Sequence, residues 1–304
     1  MYTNHTKSII NTIITRIAPG CCPNYWWVSR PARVSRWQLP VNLGYDLGVM
    51  APELGQIGPF VIRTYTLLLD LGILLGLGIL TWQGWRIDDK PVEWIDAGLG
   101  ALVGGFILGR AGHVAIHWTY FAEHADEIAR LWRGGIDWHG AVVGGLIGLG
   151  IVCLVRRLIF RQVTDTLAFV LPLGAAIVYA ACLSTSCGHG REVRTLADYP
   201  SFMVSELPDL YGVTAPRLAS QLYGVALGVL LLGIAALLSR LVRRRGVRLW
   251  PVLALLGAGA FGIGYTRGDA VPMVGTLRLD QILDLAVAGI GLAGTLIAAW
   301  PRRC

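Results

Sequence analysis

Charge is scarce in this chain. Asp, Glu, Lys and Arg make up 15% of its 304 residues, against about 25% in an average soluble domain. With 54% hydrophobic residues, that scarcity excludes a disordered chain, which needs low hydrophobicity and high charge. Cysteine is sparse as well: Cys21, Cys22, Cys153, Cys182, Cys187 and Cys304 include no Cys-x-x-Cys pair, so the paired spacing of a zinc site or a redox motif is missing. No metal or other cofactor is expected. The net charge of +7 does not mark a nucleic-acid binder, because the basic residues form short clusters between apolar stretches and no aromatic-studded stripe. Alternating segments of about ten residues, the mark of a membrane β-barrel, are absent. So is a basic–apolar–small leader: Ser8 to Ile17 is short and interrupted by Asn11, Thr12 and Arg16, and Pro19, Pro23, Pro31 and Pro40 break the sequence beyond it.

What is present in excess is continuous apolar sequence, with a mean hydropathy of +0.57. Crossing hydrocarbon takes about 20 mostly apolar residues in a helix. Seven stretches qualify, at about 58–85, 97–118, 138–155, 163–183, 218–239, 249–265 and 281–300. Arg86 and Lys90, Arg156, Arg157 and Arg161, the group Arg240, Arg243, Arg244, Arg245 and Arg248, and Arg302 and Arg303 all come after odd-numbered stretches. The positive-inside rule therefore predicts an outside N-terminus and a cytoplasmic C-terminus. The expected fold is all-α: an N-terminal extracytoplasmic extension at 1–57, a bundle of about seven transmembrane helices at 58–300 with an outside insertion at about 184–217, and a short tail at 301–304.

Glycine is abundant, 39 residues, and concentrated in the spans. Gly140, Gly144 and Gly148 repeat every fourth residue, and the second stretch carries Gly100 with Gly104 and Gly105 with Gly109. Such spacing lets helices approach closely in lipid. An ionisable group inside a span costs about 2.5–3.5 kcal/mol, so it needs a partner or a purpose. Arg63, Tyr65 and Asp70 lie in the first stretch, with Arg63 and Asp70 seven apart on one face. Arg110, His113 and His117 share a face of the second. Asp137 and His139 open the third, Ser220, Gln221 and Tyr223 the fifth, and Asp280 and Asp284 the seventh, after Tyr265, Arg267 and Asp269. All could converge on one polar cavity. Plainer readings stand beside this one: Trp82, Trp118, Trp138, Trp250 and Trp300 as interfacial anchors, Asp280 and Asp284 as helix-start charges, His113 and His117 as haem ligands, Arg63–Asp70 as a structural pair. His139 stands apart, a titratable imidazole at a span end beside Asp137 and glycines.

The run from Arg133 through Gly-Gly-Ile-Asp-Trp to His139, then Gly-Ala-Val-Val-Gly-Gly, resembles the histidine–glycine motif of the prolipoprotein diacylglyceryl transferase family. Further segments match in order over about residues 55–300: Ile57 to Tyr65, Leu108 to His113, Ser220-Gln221-Leu-Tyr223, and Arg267-Gly-Asp269 with Leu279-Asp280-Gln281 after it. The resemblance implies a seven-span enzyme of the bacterial inner membrane. It would transfer diacylglyceryl from phosphatidylglycerol, or another anionic phospholipid, to the lipobox cysteine of a preprolipoprotein signal peptide. It assigns His139, Tyr65 and Arg267 to catalysis, and Arg110, Tyr223, Gln221, Arg191, Gly190 and Gly140 to substrate binding. The chain also departs from the family. The loop from Ala181 to Arg191 is of the cysteine-bearing form, the glutamate after Ser-Gln-Leu-Tyr is Gly224, and the sixth span's arginine and glutamate fall near Ala260 and Gly264. These losses support an alternative: a catalytically degenerate member acting as a lipid-binding or scaffolding subunit of a membrane complex, with Trp26, Trp27 and Trp37 of the extension available to dock a partner.

Overall fold

Backbone inside hydrocarbon must satisfy its own N–H and C=O groups, and long apolar runs do so as helices. A computed structural model describes residues 51–58, 60–130 and 134–300. Most of the expected N-terminal extension, with its three tryptophans, lies outside the described residues, as do Arg133 and the 301–304 tail. Seven helices carry the fold: α1 (Thr64–Asp88), α2 (Pro91–Ile116), α3 (Trp138–Val155), α4 (Phe160–Thr185), α5 (Ser220–Leu241), α6 (Leu249–Gly264) and α7 (Leu279–Ala299). Six are long and apolar enough to cross a membrane, while α6 is apolar but shorter. The protein is a polytopic membrane protein.

The described chain is mostly helical rather than all-α. Three two-stranded antiparallel hairpins join the helices: β1 (Glu53–Ile57) with β2 (Phe60–Arg63), β3 (Val204–Pro208) with β4 (Thr214–Leu218), and β5 (Met273–Val274) with β6 (Leu277–Arg278). Connecting backbone must also pair its polar groups, and these hairpins do so at helix ends. The first hairpin takes up residues expected to begin the first span. Arg63 therefore ends a strand in extended conformation and precedes α1, whereas Asp70 is an exposed residue within it. Conversely α2 starts at Pro91, ahead of the apolar run. Proline is pre-shaped for the first helical turn, and the charge this brings into the helix is compensated by Arg156, which meets Asp96 at 2.5 Å.

The glycine repeats interlock α2 with α3. A Cβ added at Gly104 would lie 2.2 Å from the Gly144 carbonyl oxygen, and one at Gly148 would lie 2.1 Å from that of Gly100. The two backbones are in contact, which leaves no room for any side chain at the seam. Toward the far end of the bundle a hydrophobic core gathers Leu80, Trp94, Leu149, Cys153, Leu158, Val163 and Leu249. Most of the buried polar residues collect at the opposite end, where α3, α5 and α7 begin and α4 and α6 finish.

Candidate active site

The centre of the polar end is His139, in the first turn of α3. Asp137 is the N-cap, and its Oδ2 accepts the Gly140 N–H at 2.7 Å. Such a cap stabilises a helix by about 1 kcal/mol. Here it also fixes the carboxyl so that Oδ1 stands 3.0 Å from His139 Nδ1. Asp137 in turn donates its own N–H to the Gly109 carbonyl at 2.9 Å, and Gly140 lies on the Leu108 carbonyl, where a Cβ would come within 2.4 Å. The second ring nitrogen, Nε2, is 2.9 Å from Asp284 Oδ1 on α7, 145 residues further along the chain. His139 and Asp284 are both buried. A neutral imidazole carries a single N–H, so both contacts are hydrogen bonds only when the trio holds a second proton. Burial opposes ionisation of Asp137, but hydrogen bonds from His139 and Gly140 outweigh it and hold the carboxyl below the ordinary aspartate range.

Next to this trio lies a four-charge network in the turns between α6 and α7. Arg267 forks onto Asp269, with Nε–Oδ1 2.9 Å and Nη2–Oδ2 2.6 Å, and its Nη1 is 3.5 Å from Asp280 Oδ2. Arg278 closes the ring, bonding Asp280 at 3.0 Å and Asp269 at 3.3 Å. Burial disfavours charge on both members of the Arg267–Asp269 pair. Their mutual hydrogen bonds reverse this, raising the Arg267 pKa and lowering that of Asp269. Arg267 and Asp280 also act electrostatically on Asp284, and Tyr179 of α4 feels Arg267, Asp284, Asp280 and Asp269 together. Asp280, in the arginine network, and Asp284, in the trio, stand one turn apart on α7, so the two charge clusters form one polar centre.

The 186–191 segment covers this centre. Cys182 and Cys187 form a disulfide, and Gln221 Nε2 donates to the Cys187 carbonyl at 3.2 Å, while Gln221 Oε1 is buried with no hydrogen-bond partner among the described residues. Gly190 pairs as an isolated β-bridge with Arg267, packed so closely that a Cβ would fall 1.8 Å from the Leu218 carbonyl oxygen. The two glycines at the expected glutamate positions are covered by neighbours: a Cβ at Gly224 would meet the Tyr179 ring at 2.1 Å, and one at Gly264 would meet Gln281 Cγ at 2.6 Å.

Of the residues expected at the site, His139, Gly140, Arg267, Gly190 and Gln221 come together here. The others are placed differently. Arg110 is buried, and its guanidinium donates to the carbonyls of Glu127, Ile128, Gly134 and Gly135 at 2.6–3.1 Å, clamping the loop that leads to Asp137. Tyr223 donates its hydroxyl to the Met203 carbonyl at 2.5 Å, tying α5 to the segment before β3. Tyr65 is half-buried at the start of α1 and makes no hydrogen bond to the His139 trio. The Arg191 side chain is exposed, although its backbone N–H bonds Thr266 O at 2.7 Å. The His113 and His117 rings meet at a tilt of 38° with centroids 4.4 Å apart, on one helix and its cap. Among the described residues no group of three or more His, Cys, Asp and Glu side chains is arranged to hold a metal ion. Asp284 is not a helix-start charge, because its carboxyl is engaged by His139. Its signal in the sequence was its cost: an aspartate one turn inside an apolar helix. Tyr179 had no such signal, lying in an apolar run outside every motif.

The family model of prolipoprotein diacylglyceryl transferase matches residues 52–297. A phosphatidylglycerol–prolipoprotein diacylglyceryl transferase of Acaryochloris marina is 30% identical over 246 residues, covering 80% of this chain and 89% of the relative. Proteins of the same name are 29% identical in Symbiobacterium thermophilum, covering 84% of this chain and 95% of the relative, and 30% identical in Bacillus velezensis, covering 76% and 86%.

Proposed function

This chain belongs to the prolipoprotein diacylglyceryl transferase family, and from that premise we propose how it works as a phosphatidylglycerol–prolipoprotein diacylglyceryl transferase. It moves diacylglyceryl from phosphatidylglycerol to the thiol of a lipobox cysteine and releases glycerol phosphate. All seven helices cross the inner membrane of a bacterium, with the N-terminus outside, the C-terminus in the cytoplasm and the 184–217 insertion outside. The 16 residues of α6 rise only about 24 Å, and the turns after it carry the chain across the remaining depth inside protein, where irregular backbone is tolerated. The polar centre then faces the outer leaflet, where a lipid headgroup and the cysteine of a signal peptide can both reach it.

The observation that carries this reading is the meeting of the His139 trio with Arg267 at one end of the bundle. A cysteine thiol has a pKa of about 8.5, so transfer at neutral pH needs a base; the trio centred on His139 is assigned that role. The departing phosphate gathers negative charge, which a preorganised cation stabilises most strongly where water is excluded. Arg267 supplies it, with Gln221 and the close-packed Gly190 lining the approach and Gly140 keeping α3 against α2. Tyr65 and Tyr223 flank the headgroup side. Arg110 acts on substrate through the loop it clamps, and Arg191 meets the headgroup from the surface. The test is direct: purified protein, phosphatidylglycerol and a lipobox peptide are incubated, and the peptide gains the mass of a diacylglyceryl group. One set of observations favours a second reading. At Gly224 and Gly264 the space for an acidic side chain is filled by Tyr179 and Gln281, as in a family member retained as a lipid-binding scaffold. Bound phosphatidylglycerol with no transfer would establish that reading instead.

A further inference from the structure

We propose that Asp284 is the terminus of a proton relay, Asp137–His139–Asp284, which takes the proton of the acceptor thiol and delivers it to the departing phosphate. This inference rests on the transferase reading above and names the group that meets the thiol.

The geometry leaves His139 no free ring nitrogen. Nδ1 is held by Asp137 at 3.0 Å and Nε2 by Asp284 at 2.9 Å, so a thiol cannot reach the imidazole without displacing a carboxylate. The Asp284 carboxyl, by contrast, makes its hydrogen bond through Oδ1, and among the described residues no other side chain bonds it, which leaves Oδ2 for the substrate. Its position is pinned. Gln281, one turn earlier, donates to the Phe261 carbonyl at 3.2 Å and accepts the Arg278 N–H at 3.1 Å, which locks the start of α7 onto α6. The charges around the relay are Arg267 and Asp280, acting on Asp284, Tyr179 from α4, and His113 from α2, acting on Asp137.

The proton count is what makes the trio a relay. Both imidazole contacts are hydrogen bonds at once only in the state that holds two protons. With one proton fewer it is a base. The thiol S–H bond then breaks toward Asp284 Oδ2 while sulfur forms its bond to the glyceryl carbon. The carbon–oxygen bond to phosphate breaks at the same time, and the departing oxygen keeps the electron pair. The trio is now in its two-proton state and returns one proton to the glycerol phosphate, restoring the base. Asp284 touches the reacting atom and is a catalytic residue; Asp137 acts through His139 and is a positioning residue.

The experiment compares kcat against pH for the full-length protein and for D284N, D284E and D137N, in detergent micelles containing phosphatidylglycerol with a lipobox peptide. An amide in place of the Asp284 carboxyl keeps the shape and cannot take up a proton, so D284N is expected to lose about 100-fold in kcat, the scale of general acid–base catalysis. Its KM for phosphatidylglycerol stays close to wild type and the acid limb of its pH profile disappears. D284E, which restores a titratable carboxyl, recovers a measurable part of the rate together with the acid limb. D137N keeps an acid limb at a displaced position, with about tenfold lower kcat. A D284N enzyme at the wild-type rate with an unchanged pH profile overturns the relay. So does a D284N that loses lipid binding and is not rescued by D284E, since Asp284 would then be structural. Wild-type protein that binds phosphatidylglycerol without turning over is a different result, which overturns the transferase reading itself.

Discussion

Two regions of the bundle, the loops it staples and the centre around His139, hold buried charge in opposite ways. At the far end Asp165 of α4 is buried, and both of its oxygens accept backbone N–H groups, from Gly246 at 2.7 Å and Arg248 at 2.9 Å, so one carboxylate staples the α5–α6 loop. Arg110, near the polar end, is used in the same manner, every bond going to a backbone carbonyl. Around His139 and Arg267 the partners are instead other ionisable side chains. A charge saturated by backbone has one arrangement and holds a loop. A histidine held between two carboxylates can carry its protons in more than one arrangement, while an arginine among aspartates keeps its charge, and a site moving protons and anions needs both. Burial alone does not tell the two apart; the chemistry of the partner does.

Breaking the contrast at its strongest point should give the largest effect. H139A leaves both carboxylates without their shared hydrogen-bond partner and is expected to lower transfer by about 10³-fold, read as lipidated peptide per unit time with phosphatidylglycerol binding retained. R267M removes the cation proposed to face the leaving group. A loss of about 10² in kcat is expected, the scale set by losing one preorganised electrostatic group; a loss confined to KM would argue for simple headgroup binding. G144V acts on the scaffold, forcing a side chain into the α2–α3 backbone contact, and should cost about 1–3 kcal/mol, measured as a lower Tm in detergent. D165N tests the stapling end. It should lower stability by about 1 kcal/mol and leave the pH profile of the folded enzyme unmoved, unlike D284N. The smallest effect is in pH. Asp137 and Asp269 are both held below their ordinary range, so their contribution to stability is complete above the unfolded-state value, near pH 4, and is lost as pH falls through the lowered native values. Tm should therefore decline below about pH 4, with a shallower decline in D269N.

Much of this molecule was legible from residue order. The apolar runs located all seven helices to within a few residues, and only the ends moved, at Arg63 because a hairpin precedes α1 and at Pro91 because proline starts a helix ahead of its apolar core. The four-residue glycine spacing marked the α2–α3 seam correctly. The site was legible only in part. His139, Gly140, Gln221, Gly190 and Arg267 were visible because they sit in short motifs. Asp284 was named among the polar span residues but given no role, and Tyr179 was missed, since what they do is defined by neighbours on other helices; Arg110 looked like a free cation because its four partners are backbone carbonyls, which no side-chain pattern reveals.

Residue order by itself determined that this chain crosses a membrane as a helical bundle and belongs to a lipid-modifying transferase family, because hydropathy, glycine spacing and colinear motifs are local properties that survive without knowledge of contacts. Only the tertiary structure decided which buried charges are staples and which can exchange protons. That distinction depends on pairs such as His139 and Asp284, brought within 2.9 Å across 145 residues by the packing of helices whose apolar faces say nothing about which polar group will meet which.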